Sequence, residues 1–338
     1  MITPAAFAKF VTDINTMWGT IYESLGVEEQ YQKIATTVPL KTAQWEIGWT
    51  GIMPKARVWA GPRHPYQPAA QTYIAVPQPY ELTYEIDKFN LDDDQFGVFF
   101  RMLPDMARQL KRWPDLQMRD LLEASGAYSS TTIQQGFDGL SNWNTAHLIN
   151  LYNSGLGSYC NDFTGGGQNV TYTKPGGGTG TTLVGGSLAP VAYGTLAEYM
   201  QTIKGEDGEV LGVNPNLMQI APQLEVEANM ILKASYFAPP QWGVNITSQV
   251  GAAENVLKRF GIDYIENKFL ANKYTWYLMD LSQSVKPFTW VLREAPIVVP
   301  RINENDPIVF DNHMLMWGAW MRACPAWSYA FLCARSGP

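Results

Sequence analysis

The chain has 338 residues, a formal net charge of -7 and 16% charged residues. This length allows about two domains with a buried core, and the acidic balance argues against nucleic-acid binding through a basic surface. The low charged fraction also argues against an intrinsically disordered chain. Cys160, Cys324 and Cys333 lack metal-ligand spacing and indicate a reducing compartment. No stretch approaches the roughly 20 apolar residues of a membrane span, so no membrane location is expected.

Residues 1–40 are expected to form an N-terminal arm. Phe7, Phe10, Ile14 and Trp18 recur at steps of three and four residues, which is typical of a helical stripe. Little in this segment would cover the stripe locally. We therefore expect the arm to lie on another part of the assembly.

Residues 41–90 are expected to form an extended hairpin. Trp45, Ile47 and Trp49 alternate with smaller or polar residues, as in a strand. Residues 80–87 alternate more strictly, with aromatic and branched positions facing one way and acidic or hydroxyl positions facing the other. The two strands would be joined by a long connector interrupted by proline and glycine.

Residues 91–153 are expected to form a domain with a long spine helix. Asp92, Asp93 and Asp94 precede a helical stripe that runs from Phe96 to Leu110, so they are predicted to cap the helix. A divalent cation held by these aspartates is the less favoured alternative. Two prolines inside the stripe predict two or three stacked helical pieces instead of one rod.

The rest of the chain predicts a glycine- and threonine-rich loop over 154–187 and an α+β second half. The loop composition favours a flexible surface connection. Helices are predicted over 191–203 and from Pro222 to Leu232, and a short strand over 217–220. Later strands are predicted over 273–280, 288–293, 314–323 and 327–332, with a frayed tail behind them.

Three segments carry uncommon residues in a distinctive order and spacing. The first, in the hairpin and before the helix, has Trp49, Gly51, Pro54, Trp59, Gly61, Arg63, Tyr80, Glu81, Asp92, Asp93 and Gly97. A middle segment, residues 211–232, reads LGVNPNLMQIAPQLEVEANMIL, and a late segment, residues 275–296, places a Lys-Pro pair before a strand that ends in Arg-Glu. The first segment most specifically resembles the Mu-like phage major head protein family, which has the Hong Kong 97-type capsid fold. The middle segment is similar to the family's Gly-x-x-Pro-x-x-Leu pattern followed by a helix that begins with proline, and the late segment is similar to the family's late strands.

The resemblance implies an α+β assembly protein with an arm, an extended loop across a neighbour, a peripheral domain and an axial domain. The axial domain would cover 188–296, and residues 297–338 would supply returning strands. Expected partners are copies of the same chain in hexamers and pentamers, a separate scaffold and a portal, with DNA enclosed but not read. Aromatic residues suit such contacts. The candidate contact residues are Trp49, Trp59, Arg63, His64, Tyr66 and Tyr73.

Two other functions remain open on the sequence. One is an encapsulin-like cargo shell of the same fold. The other is a carbohydrate-active enzyme that uses its tryptophans as stacking platforms. No nucleophile motif is present, and His64, His147 and His313 are too scattered for a metal set. We therefore expect no catalytic residue, no cofactor and no metal, in a protein located in the virion and, during assembly, in the host cytoplasm.

Overall fold

The computed structural model describes residues 29–49, 58–59, 71–92, 98–124, 138–150, 155, 157–165, 169–173, 179–183, 186–237, 253–303 and 305–338. The helices are α1 Tyr31–Ile34, α2 Lys88–Asp92, α3 Val98–Glu123, α4 Pro190–Gln201, α5 Glu225–Leu232 and α6 Pro307–Asn312. The strands are β1 Ala35–Pro39, β2 Trp45–Trp49, β3 Gln71–Ala75, β4 Gln78–Asp87, β5 His147–Leu148, β6 Ser158–Tyr159, β7 Asp162–Thr164, β8 Asn169–Thr173, β9 Thr179–Leu183, β10 Leu217–Ile220, β11 Tyr236–Phe237, β12 Ala253–Glu254, β13 Asp263–Glu266, β14 Trp276–Met279, β15 Phe288–Arg301, β16 Met314–Trp327 and β17 Cys333–Gly337.

The first of the two main sheets has four strands, two of them long, in the order β1, β15, β16, β4. Strand β1 is parallel to β15, and the other neighbours are antiparallel. Strand β15 loses its register with β16 between Leu292 and Ile297. Pro296 lies in this irregular stretch, where its missing N–H does not interrupt a regular ladder. The last part of the predicted N-terminal arm, residues 35–39, is therefore a strand of this sheet.

Helix α3 covers one face of the four-stranded sheet. Tyr80 contacts Trp113 edge-on, with ring centroids 5.3 Å apart, and its hydroxyl donates to Oε1 of Gln117 over 3.1 Å. The shared core contains Ile86, Met106, Leu110, Ile302, Val309, Leu315, Trp317 and Ala319. The alternating residues of β4 that the sequence marks as apolar therefore face the helix.

The prediction that Pro104 and Pro114 divide this helix into pieces is wrong, because α3 is one helix of 26 residues. An interior proline costs about 3 kcal/mol through a lost hydrogen bond and a clash. Burying one large apolar side chain contributes about 1.5–3 kcal/mol. The buried stripe continues on both sides of Pro114, so packing outweighs the local cost there; it comprises Met106, Ala107, Leu110, Met118, Leu121 and Leu122.

The structure bears on one of the three predicted capping aspartates. Asp92 is the last residue of α2, and α3 as described begins at Val98. Asp93 and Asp94 lie outside the described residues, and their capping role stays a prediction. The carboxylate that caps a helix here is that of Asp87, whose Oδ1 accepts from the N–H of Phe89 over 2.7 Å.

The hairpin has a different return strand from the predicted one. Strand β2 pairs with β3, with Trp45 opposite Ala75 and Trp49 opposite Gln71. Strand β4 instead pairs with β16, so that Ile86 lies opposite Leu315. A two-residue alternation shows that one face of a strand is buried, and it does not identify the strand's partner.

The second main sheet has five strands in the order β13, β10, β14, β17, β7. Strands β10 and β14 are buried on both faces. Tyr277 and Met279 face the core shared with the four-stranded sheet, while Trp276 and Leu278 face a second core formed with α4 and α5. The predicted strands at 217–220, 273–280, 288–293 and 314–323 and the helices after Ala189 and Ala221 are confirmed.

The chain end and the glycine-rich segment contradict their predictions. Residues 327–332 do not form a separate strand, because β16 ends at Trp327 and a 3₁₀ turn follows at Ala330–Leu332. The predicted frayed tail is the buried strand β17. Within 154–187, β7 pairs in parallel with β17, and β8 pairs with β9. An ion pair between Arg335 of β17 and Asp162 of β7 links the two segments, and no local sequence pattern predicts it.

Candidate functional site

Within the described part of the chain, the face of the four-stranded sheet opposite α3 is exposed along β4 and β16, and we call it the open sheet face. Odd-numbered residues of β4 and even-numbered residues of β16 point to this face, as the alternating exposure shows. Directly opposite residues share a face, so the register defines its rows. These rows across β4, β16 and β15 are Glu85–Met316–Arg301, Thr83–Gly318–Val299, Glu81–Trp320–Ile297 and Pro79–Arg322–Glu294.

The centre of this open face is apolar. Trp320, Ile297 and Val299 are 39%, 46% and 40% exposed, respectively, although each lies in a regular strand. Three neighbouring apolar side chains left to water on one sheet face are typical of a contact surface, more than single exposed residues are. The surface can therefore contribute apolar burial to a partner.

The rim of the open face is acidic, with Glu81, Glu85 and Glu294 exposed. Its two arginines already have partners within the chain. Arg301 makes two hydrogen bonds of 2.9 Å to the Asp306 carboxylate, and Nε of Arg322 donates to a backbone carbonyl over 3.2 Å. A partner that carries positive charge and an aromatic or branched apolar group would complement this surface.

The hairpin offers such groups. Val58 and Trp59, between β2 and β3, are 90% and 73% exposed. The connector, residues 50–70, contains Lys55, Arg57 and Arg63 and no acidic residue. Trp59 is exposed, and its predicted role as a contact residue stays a prediction.

The other predicted contact residues fare differently. Arg63, His64 and Tyr66 lie outside the described residues, as does the side chain of Trp49. Tyr73 packs against the core of its own subunit, and burial raises the pKa of its phenol well above the usual value. The structure therefore places Tyr73 mainly inside the subunit.

Sequence reasoning missed the open face. Strand β16 reads MLMWGAWMRA at its start, with apolar residues at odd and even positions alike. No alternation marks Trp320 as outward and Trp317 as inward, although Trp317 is 1% exposed. The signal lies in β4, whose glutamates at 81 and 85 identify the polar side of the sheet once its pairing is known.

The titratable groups elsewhere have structural roles. His147 is buried, with Nδ1 2.5 Å from Oδ2 of Asp138, and its Nε2 donates to the carbonyl of Asn142 over 2.9 Å. Burial acts to raise the pKa of Asp138, but the hydrogen bond and charge of His147 outweigh it and lower that pKa. Burial also raises the pKa of Cys160 to about 11, so this thiol stays protonated near neutral pH.

Among the residues that the structure describes, no three His, Cys, Asp or Glu side chains lie together as metal ligands would. Within the described ranges, no helix is long and apolar enough to cross a membrane.

This chain is similar in sequence to known phage head proteins. Residues 9–172 and 263–336 match the family described as Mu-like prophage major head subunit gpT. The major capsid protein of Escherichia phage Mu is 27% identical over 164 residues, which cover 48% of this chain and 50% of that protein. The chain therefore spans about half the length of this curated relative.

Two solved structures show the fold. A chain from the procapsid of bacteriophage JBD30 aligns with a TM-score of 0.52 and 20% identity, over 100% of this chain and 76% of that one. A chain from the JBD30 capsid decorated with minor capsid protein trimers aligns with a TM-score of 0.52 and 19% identity, over 80% and 99%. The expected α+β fold of tailed-phage capsid subunits, the Hong Kong 97 type, is confirmed. Since the family pattern matches most of the residues, the chain belongs to the Mu-like prophage major head subunit family.

Proposed function

We propose that this chain is the major capsid subunit of a tailed bacteriophage or Mu-like prophage. Copies of it assemble, without catalysis, into the icosahedral shell that encloses double-stranded DNA. The observation that carries the proposal is the match to the head-subunit family across both halves of the chain. The open sheet face and the exposed hairpin supply surfaces for self-assembly.

The first contact in this proposal joins two different patches. The hairpin of one copy lies on the open sheet face of the next copy, with Val58 and Trp59 against the apolar centre around Trp320. The basic connector meets the acidic rim at Glu81 and Glu85, which favours this pairing over others. A contact between two different patches is heterologous, so its repetition generates rings when the rotation closes.

The finer assignments follow from this role. Hexamers and pentamers form through the axial domain at 188–296, with the arm at 1–40 and the peripheral domain at 91–153 completing the lattice. A separate scaffolding protein and a portal take part, assembly proceeds in the host cytoplasm, and the mature subunit resides in the virion. The enclosed DNA is not read by sequence, in keeping with the net charge of -7.

The alternatives carry less support. An encapsulin-like cargo shell would share the fold, but the family that matches is one of phage head subunits. A carbohydrate-active enzyme would need its tryptophans in a cleft beside paired carboxylates. Trp276, Trp290 and Trp317 are instead among the most deeply buried side chains of the core.

A charge-swap experiment tests the proposed contact. Replacing Glu81 and Glu85 with lysine should reduce assembly at least tenfold, because the rim would then repel the connector. Replacing Arg57 and Arg63 with glutamate should do the same from the other side. Combining all four changes should restore assembly, as measured by the fraction of protein that sediments as particles.

Alanine substitutions complete the design. Trp59→Ala and Trp320→Ala should each impair assembly and leave the urea unfolding of the subunit nearly unchanged, since both side chains are exposed in the monomer. Loss of subunit folding in Trp59→Ala would place that residue in a core. If the variant with all four charge changes does not form particles, the hairpin contact is refuted. The capsid function is tested separately, by whether the wild-type protein forms particles.

A further inference from the structure

The N-terminal end of the described structure is held by a buried carboxylate. Asp115, in the middle of α3, is 3% exposed, and its Oδ1 accepts from the N–H of Tyr31 over 2.7 Å. Tyr31 begins α1 and packs on Trp290, with ring centroids 5.6 Å apart. Asp115 thus fastens the turn at Gln30 and Tyr31 to the spine helix.

Two buried oxygens at this contact lack a donor. Among the described residues, neither Oδ2 of Asp115 nor Oε1 of Gln30 has a hydrogen-bond partner. The amide orientation of Gln30 is fixed, because its Nε2 donates to the carbonyl of Glu266 over 2.6 Å. A buried acceptor without a donor costs about 1–3 kcal/mol, and more when it is charged. The contact between Asp115 and the Gln30–Tyr31 turn, which we call the closed state, therefore accommodates the ionised carboxylate poorly.

A proton on Asp115 relieves this cost. Protonation removes the buried charge and with it the desolvation cost of the ion. The two nearby charges act in opposite directions, because Glu29 opposes ionisation of Asp115 and Arg112 favours it. The Tyr31 phenol does not compete for this proton, because burial raises its pKa above the usual 10.0.

We propose that Asp115 is a proton-operated latch, which fastens the Gln30–Tyr31 turn to α3 when protonated and loosens it when ionised. The latch does not depend on the proposed capsid function, because every group in it belongs to one subunit.

The direction of the pH effect follows from linkage. Burial raises the pKa of Asp115 from 3.8 to about 6 in the closed contact, against the smaller lowering by the N–H groups of Tyr31 and Gln30. In the open state the carboxyl is solvated and returns to its ordinary value. The closed state therefore binds the proton more tightly, and acid favours closing. Between pH 7 and pH 5 the closing equilibrium should shift by about tenfold.

Hydrogen–deuterium exchange of the full-length chain tests the latch. Exchange of the peptide covering residues 29–40 would be followed by mass spectrometry from pH 5 to pH 7, with labelling times scaled to the intrinsic exchange rate. The wild type should be about tenfold better protected at pH 5 than at pH 7. Asp115→Asn, a neutral side chain with an N–H donor, should be well protected and independent of pH.

Two further variants distinguish the latch from other effects. Asp120→Asn lies on the same helix in a more exposed position and should keep the wild-type pH dependence. Asp115→Ala, which removes the acceptor for the Tyr31 N–H, should be poorly protected throughout. The proposal is overturned if wild-type protection does not change with pH, or if Asp115→Asn retains the wild-type pH profile. Wild-type exchange alone decides the matter if a variant does not fold.

Discussion

Arg335→Met is expected to lower the free energy of unfolding by about 3–5 kcal/mol, because it leaves the partly buried Asp162 carboxylate without its counter-charge. Arg335 is 4% exposed, and its guanidinium makes paired hydrogen bonds of 2.9 and 2.8 Å to the two oxygens of Asp162. The guanidinium also lies over the Trp143 ring, 5.0 Å from its centroid. Urea unfolding of the purified subunit measures the loss.

The Asp162 side of the pair explains why the loss is large. Burial acts to raise the pKa of Asp162, but the hydrogen bonds and charge of Arg335 lower it below its ordinary value. Without Arg335 the burial cost remains and its compensation is gone. Strand β17 would also lose its side-chain link to β7, at the edge of the five-stranded sheet.

Arg108→Met provides the matched control. Arg108 is also paired with an aspartate, Asp105, but both side chains are largely exposed in α3. An exposed ion pair contributes about 0–1 kcal/mol, so the control should unfold nearly as the wild type does. Equal effects of Arg335→Met and Arg108→Met would contradict the assignment of β17 as a buried, ion-paired strand.

Trp317→Ala should also lower the free energy of unfolding by about 3–5 kcal/mol. Trp317 is 1% exposed and packs between the four-stranded sheet and α3, in the core that includes Leu110 and Leu315. Removing the indole leaves a cavity that a long helix and a long sheet cannot readily close. Calorimetry or urea unfolding of the subunit gives the magnitude.

Trp320→Ala tests the same strand from the other side. Trp320 lies three residues along β16 but points to the open sheet face, where it is 39% exposed. Its removal should cost the subunit less than about 1 kcal/mol and act mainly on assembly. A stability loss in Trp320→Ala as large as that of Trp317→Ala would mean that the open face is covered within the subunit.

The sequence predicts those elements whose burial follows a regular period. The alternation in β4 gives its inward face correctly, and the apolar runs at β14 and the start of β15 give two buried strands. The resemblance supplies the fold, which local patterns alone do not specify. Even so, the alternation of β4 could not show that it pairs with β16 instead of β2, since that choice depends on contacts distant in the chain.

Long-range contacts account for the other errors. The C-terminal segment forms the buried strand β17 partly because Arg335 is ion-paired with Asp162, which lies 173 positions earlier in the chain. The continuity of α3 past Pro104 and Pro114 depends on packing against a sheet that includes β15 and β16, both of which lie far later in the chain than the helix. At the candidate site, exposed Trp59 is recognised from its place in the hairpin. Trp320 is hidden by the uniformly apolar sequence of β16.

Electron microscopy and sedimentation velocity of the purified full-length chain test the central claim most directly. The proposed capsid function predicts closed shells, or rings of five or six copies, in a population that grows with protein concentration. A chain that remains strictly monomeric at high concentration, alone and with a co-expressed scaffold, would contradict it.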